Sequence, residues 1–117
     1  MLTIRQAQLA VLSQLEVEKF EDWTLAHLRK FFPKQCAALG ERQLRETIRH
    51  GIRRAAHYGL TAKRDVCKYI DLMIVFGRDF DTDKRSRWAS EILGSRGNPG
   101  AKMRALLSAA KIRLGKR

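Results

Sequence analysis

The sequence has few of the residues that cross-link or break a chain, with two cysteines and two prolines in 117 residues. Cys36 and Cys67 share no CxxC or paired spacing, so the sequence indicates neither a redox motif nor a cysteine-based metal site. Both lie in apolar stretches with helical periodicity. We expect buried free thiols, and a reducing compartment at least while the chain folds.

Long apolar runs are also scarce. The longest, residues 69–76, is interrupted by Asp71 and is too short to cross a bilayer. The first residues, MLTIRQAQLAVL, lack the basic-then-apolar order of a signal peptide. We expect no transmembrane segment and a cytoplasmic location, with export that needs no cleaved signal as the alternative.

Sequence motifs of catalysis are missing as well. The chain contains no nucleophile elbow and no glycine-rich phosphate loop. His50 and His57 are seven residues apart, which is too far along a helix to share a metal ion, and His27 stands alone. We therefore predict no catalytic residue, no metal, no cofactor and no enzymatic activity.

One acidic loop imitates the start of a calcium-binding EF-hand, because Asp79, Asp81 and Asp83 alternate along it. The rest of the pattern fails, since Lys84 stands where the motif needs glycine and Ser90 where it needs a bidentate glutamate. A solvated acidic loop is the better interpretation, with Asp79 or Asp83 capping the helix that follows.

What the sequence does contain is helical periodicity, with no competing strand pattern. Apolar residues recur along the first stretch at Leu9, Leu12, Val17, Phe20, Trp23 or its neighbours, Leu28, and Phe31 or Phe32. The predicted helices cover residues 3–32 (one helix, or two joined near Glu16), 34–39, 41–58, 62–76, about 88–93, and 101–114. We predict an all-α fold, a compact bundle of about five to six helices with a basic amphipathic helix at the C-terminus.

Glycines and one threonine mark the ends of these helices. Gly40 and Gly77 are predicted to end helices, and Thr61 to cap the helix 62–76. Gly51 lies inside a helix, where glycine costs about 0.5 to 1 kcal/mol relative to alanine, so we expect a neighbouring helix to approach closely there. The helix 62–76 is the most apolar, and its predicted inward residues are Val66, Tyr69, Ile70 and Met73. We divide the chain into a helical core domain at 1–94, a glycine- and proline-containing turn or linker at 95–100, and a basic helix at 101–117.

Acidic residues are half as numerous as basic ones, 12 against 24, which gives a formal net charge of +12. An excess of this size favours an anionic partner such as nucleic acid, an acidic protein surface or anionic lipid. Residues 101–117 hold six basic and no acidic side chains. Half of the excess therefore lies in the last seventeen residues.

The C-terminal helix combines an apolar stripe with a cationic border. Its candidate partner-binding residues are Met103, Leu106, Leu107 and Leu114 as anchors, with Lys102, Arg104, Lys111 and Arg113 at the border. The stripe could pack on the chain's own domain, enter a groove of another protein, or hold the helix against nucleic acid or an anionic membrane. The combination favours a protein groove, the chain's own core included.

A second basic stripe follows the helix 41–58. Arg42, Arg45, Arg49 and Arg53 recur at helical spacing and could contact phosphates. These four residues form the candidate nucleic-acid-binding site. The rest of the chain contains no zinc finger or RNA-binding signature, which weighs against nucleic acid as the main role.

Three segments carry a resemblance to a known family: FEDWTLAHLRKFFPKQC at 20–36, IRHGIRRAAHYGLTAKRDVCKYIDLMIVFGRDFD at 48–81 and RWASEIL at 87–93. They resemble small bacterial helical proteins encoded beside the spike, PAAR and toxic-effector genes of type VI secretion systems. The resemblance implies an accessory protein that loads, holds or neutralises an effector, and it supplies no catalytic residues. Lys63 and the basic tail depart from the family pattern.

The resulting functional hypothesis is a non-catalytic adaptor or chaperone-like partner of a type VI secretion effector module. Its partner would be a secretion effector or a spike or PAAR component. Two alternatives stay open at this point: a basic nucleic-acid-binding helical module, and a small secreted toxin or effector.

Overall fold

The computed structural model describes the backbone of residues 2–115 and the side chains of residues 17–115. The predicted all-α class is confirmed, since this part of the chain holds five α-helices, one short 3₁₀ turn at Lys84–Ser86 and no strand. The helices are α1 (Leu2–Phe31), α2 (Pro33–His57), α3 (Lys63–Phe76), α4 (Arg87–Leu93) and α5 (Pro99–Gly115). No helix in the described part has the length and apolar character needed to span a membrane.

The chain divides into two compact units, Met1–Ile48 and Arg49–Arg117, which are described separately below. The boundary falls inside α2. A break in that helix lies in the first unit at Gly40, whose φ of 81° and ψ of 163° are non-helical. A positive φ is costly for residues with a β-carbon, so the glycine predicted to end a helix does interrupt α2 here.

In the first unit, α1 is one continuous helix through Glu16 and not two. Leu25 and Leu28 are buried on α1, and Leu44 and Ile48 are buried on α2. Trp23 is exposed, and its neighbours Thr24 and Leu25 take the buried positions, while Leu9 and Leu12 lie outside the described side chains.

Helix α3 supplies much of the buried surface of the second unit. The four residues predicted to face inward are all buried, namely Val66, Tyr69, Ile70 and Met73. The prediction for Gly51 is also confirmed, because a Cβ built there would lie 2.6 Å from Cγ1 of Ile70 and 2.8 Å from Sδ of Met73. The missing side chain lets this part of α2 approach α3 closely.

The predicted capping of α3 holds at one end of the helix and not at the other. Ala62, and not Thr61, is the N-cap residue, and no side-chain hydrogen bond caps this end of the helix. At the other end Gly77 has φ 115° and donates its N–H to the Met73 carbonyl. The predicted glycine stop is therefore correct, whereas the predicted threonine cap is wrong.

Helix α5 begins at Pro99 and packs on α3 and α4. Asn98 caps it, because the Asn98 side-chain Oδ1 accepts a hydrogen bond from the Ala101 N–H at 2.7 Å. Proline is favoured at the first helical position because its missing N–H would have no partner there. Part of the predicted turn at 95–100 is thus the start of the basic helix.

Candidate functional site

The apolar stripe of α5 is used largely inside the second unit. Met103 and Leu106 are buried, as is Ala110, so two of the four predicted anchors are covered by the chain's own packing. Leu107 is half-buried and Leu114 is exposed, and Ile112 adds a further exposed apolar side chain. In this arrangement Met103 and Leu106 cannot also fill a partner's groove.

The cations of α5 differ in their surroundings. Lys102 is half-buried and its Nζ donates to the Tyr58 carbonyl oxygen at 3.1 Å, so it holds the helix to its own unit. Arg104 and Lys111 are exposed. Arg113 is exposed too, and its guanidinium lies 5.5 Å from the centroid of the Trp88 ring.

A pocket of about 300 Å³ opens beside that contact. The rings of Phe76 and Trp88 meet edge to face at 5.2 Å between centroids. The pocket is lined by Val75, Phe76, Asp83, Arg85, Ser86, Trp88 and Arg113. It therefore combines two aromatic rings with two guanidinium groups.

Asp83 and Arg85 hold each other in place at the edge of the pocket. Nη2 of Arg85 lies 2.8 Å from Oδ2 of Asp83, and the Arg85 backbone N–H donates to Oδ1 at 2.9 Å. These contacts with Arg85 lower the pKa of Asp83 to about 2. Asp83 caps the 3₁₀ turn that leads into α4, whereas the N-cap residue of α4 itself is Ser86 and not Asp79 or Asp83, the two predicted candidates.

Asp81 is the exception to the predicted solvated loop. It is buried, and Nη2 of Arg54 lies 2.7 Å from its Oδ2. The Tyr58 hydroxyl donates to the same oxygen at 2.8 Å, and burial is the main cause that raises the pKa of Tyr58. Because a buried carboxylate must be paired, Asp81 anchors its loop to α2.

The four arginines of the predicted phosphate-binding stripe on α2 differ in their exposure and contacts. Arg42, Arg49 and Arg53 are exposed. Arg45, in the first unit, donates to Glu21 at 2.9 Å, to Asp22 at 3.0 Å and to Glu41 at 3.1 Å. Three carboxylates pair with the Arg45 guanidinium, and the role of the four arginines in binding phosphate stays a prediction.

A row of aromatic rings runs along α1. It was not predicted as a site from the sequence. We call Phe20, Trp23, His27 and Phe31 the aromatic face. Their ring centroids follow one another at 6.1, 5.7 and 4.9 Å. Trp23 is 56% exposed and Phe31 59% exposed. The signal in the sequence is the recurrence of aromatic side chains at three- and four-residue steps.

The basic side chains are very unevenly distributed between the two units. Residues 1–48 contain seven Lys and Arg and six Asp and Glu. Residues 49–117 contain 17 Lys and Arg and six Asp and Glu, a net of +11 out of the total of +12. Counting the charge by unit extends the basic region well beyond the C-terminal helix.

The two cysteine side chains are free and buried, as predicted. Burial is the main cause that raises the pKa of both thiols, that of Cys67 to about 11. A thiol is a poor nucleophile until it loses its proton, and a raised pKa keeps the proton on. Neither cysteine therefore has the depressed pKa that is typical of a reactive thiol.

No family model matches the chain, and no curated protein or solved structure does either. The resemblance of roughly residues 1–94 to proteins of type VI secretion loci therefore stays a prediction.

Proposed function

We propose that this chain is a non-catalytic binding protein that contacts a protein partner through the aromatic face of α1. The observation that carries the proposal is the exposure of Trp23 and Phe31, both more than half accessible on one side of the helix. Large aromatic side chains dominate the energetics of protein interfaces, because one ring removes much apolar area from water at little cost in conformational entropy.

The charges beside this face indicate the chemistry of the partner. Lys19 precedes Trp23 by one helical turn, and Lys30 follows His27 by nearly one turn, so both lie along the same side of α1. Both are exposed, and Nζ of Lys30 lies 5.5 Å from the Phe31 ring centroid. The face therefore fits an apolar groove with an acidic rim.

The resemblance described above supports a particular partner. Its first segment, residues 20–36, contains the whole aromatic face. We accordingly propose an adaptor or chaperone-like role toward a type VI secretion effector, or toward a spike or PAAR component of the same module.

Size-exclusion chromatography with the purified product of the adjacent gene tests this proposal. We expect co-elution at micromolar concentration, and its loss in the double variant Trp23→Ser, Phe31→Ser. The matched control is Ile112→Ser, which removes an equally exposed apolar side chain from the other unit. An unchanged elution profile of the unmodified pair, or equal loss in both variants, would contradict the proposal.

A second candidate function is the binding of nucleic acid by the unit Arg49–Arg117, and its net charge of +11 supports it. Contacts between cations and phosphates release counterions, so the affinity for a random duplex should fall steeply as salt is raised. Absence of binding at low salt would rule this candidate out.

A further inference from the structure

We propose that the pocket between Phe76, Trp88 and Arg113 receives an exposed base of a single-stranded nucleic acid. This inference deepens the second candidate function and rests on it. The charge of the unit accounts for attraction to phosphates, whereas the pocket adds a place for the base itself.

The indole of Trp88 is the stacking surface. It is half-buried, and the edge-to-face contact with Phe76 at 5.2 Å holds it from one side. Aromatic side chains bind bases of any sequence, since every base has a π face. A ring fixed in this way needs little rearrangement to accept a base.

Arg113 covers the stacking surface of Trp88 until a base takes its place. Its guanidinium now lies over the Trp88 ring at 5.5 Å, where a planar cation is attracted by the π electrons of the ring. A base that stacks on the indole would take the same position. The displaced guanidinium can then pair with the phosphate of that nucleotide. The indole face and the guanidinium therefore each keep a partner.

The size and charge of the pocket fit this ligand. Its volume of about 300 Å³ is near the lower end of the range for small-molecule sites and suits one base with its sugar. Asp83 would repel a phosphate if it stood alone, but Arg85 neutralises it through paired contacts of 2.8 to 3.3 Å. Arg113 adds a second guanidinium to the lining of the pocket.

Two strands of equal length separate stacking from attraction to phosphate. One is an oligothymidine of about 12 nucleotides, and the other is its abasic analogue with the same number of phosphates. Binding is followed by fluorescence anisotropy of a labelled strand at low salt. A second measurement uses Trp23→Phe protein, in which Trp88 is the one remaining tryptophan and reports stacking by quenching.

We expect oligothymidine to quench Trp88 and to bind more tightly than the abasic strand. Trp88→Leu should lower the affinity for oligothymidine roughly 10- to 100-fold while changing that for the abasic strand less than about twofold. Arg113→Gln should weaken both strands. Arg104→Gln is the matched control, because it removes an exposed charge from the same helix outside the pocket lining.

Each other outcome has a definite meaning. Saturable binding of both strands with equal affinity and no quenching of Trp88 would overturn the base site and leave phosphate binding in place. Absence of binding by either strand at low salt would overturn the nucleic-acid candidate together with the pocket. If Trp88→Leu does not fold, as judged by circular dichroism, the quenching measurement on Trp23→Phe protein still decides.

Discussion

The guanidinium of Arg54 and the buried carboxylate of Asp81 are 2.7 Å apart, although 27 residues separate them in the chain. The Tyr58 hydroxyl completes the contact by donating to the same carboxylate oxygen. This ion pair explains the alternating aspartates of the loop better than a calcium site does. Asp81 is structural, Asp83 caps a turn, and Asp79 is largely exposed.

Asp81→Ala should destabilise the protein, because it leaves the half-buried Arg54 guanidinium without its carboxylate. We expect the free energy of unfolding to fall by about 3 kcal/mol, measured by urea denaturation. Asp79→Ala, two residues away at an exposed position, should change it by less than about 0.5 kcal/mol. Equal effects of the two substitutions would contradict the assigned role of Asp81.

The two tyrosines near Asp81 should respond differently to loss of their hydroxyl groups. Tyr58 donates a hydrogen bond to Asp81, whereas the buried Tyr69 hydroxyl finds no partner of full hydrogen-bonding geometry among the described residues, although burial and the nearby Asp81 raise its pKa. Tyr58→Phe should lower the free energy of unfolding by about 1 to 2 kcal/mol. Tyr69→Phe should be neutral or slightly stabilising. A larger loss for Tyr69→Phe in thermal denaturation would show that this description of the cluster is wrong.

Gly51→Ala tests the close approach of α2 and α3. The added methyl group would meet side-chain atoms of Ile70 and Met73 at 2.6 and 2.8 Å, so these residues must shift. We expect a loss of about 1 to 3 kcal/mol in the free energy of unfolding. Gly115→Ala is the control, because open space surrounds that position and alanine favours the helix. Unchanged stability of Gly51→Ala would argue against the packing described.

Arg45 and Arg42 lie on the same helix. Substituting each of them compares a cation that is held in ion pairs with a cation on the exposed surface. Arg45 binds the buried Glu21 together with Asp22 and Glu41, so Arg45→Ala should lower the urea midpoint of unfolding, because the buried Glu21 carboxylate loses this cation. Arg42→Ala, at an exposed position, should cost less than about 0.5 kcal/mol. The urea midpoints of the two variants are compared. Similar midpoints would contradict the structural role of Arg45.

The sequence predicts the helices well where a single periodic pattern determines which face of the helix is buried. The stripe of α3 and the glycine at position 51 both follow from local spacing, and both are confirmed. The burial of Met103 and Leu106 agrees with one of the interpretations open for the C-terminal helix, in which the stripe packs on its own domain.

Other features depend on which groups meet in space. The burial of Asp81 requires Arg54 and Tyr58, and no local pattern connects these residues. The exposure of Trp23 was not predicted, because periodicity places residues on faces of a helix without saying which face is covered. The pocket escaped notice for the same reason, since α3, the loop after it, α4 and α5 all contribute to its lining.

The fluorescence of Trp23 shows whether a protein partner covers the aromatic face of α1, as proposed. In a Trp88→Phe variant, Trp23 is the one remaining emitter. Because its indole is 56% exposed, acrylamide should quench it efficiently in the free protein. With a saturating concentration of the product of the adjacent gene, we predict a shift of emission to shorter wavelength and strong protection from acrylamide. Unchanged emission and quenching in a complex shown to be saturated would contradict the proposed binding of a protein through this face.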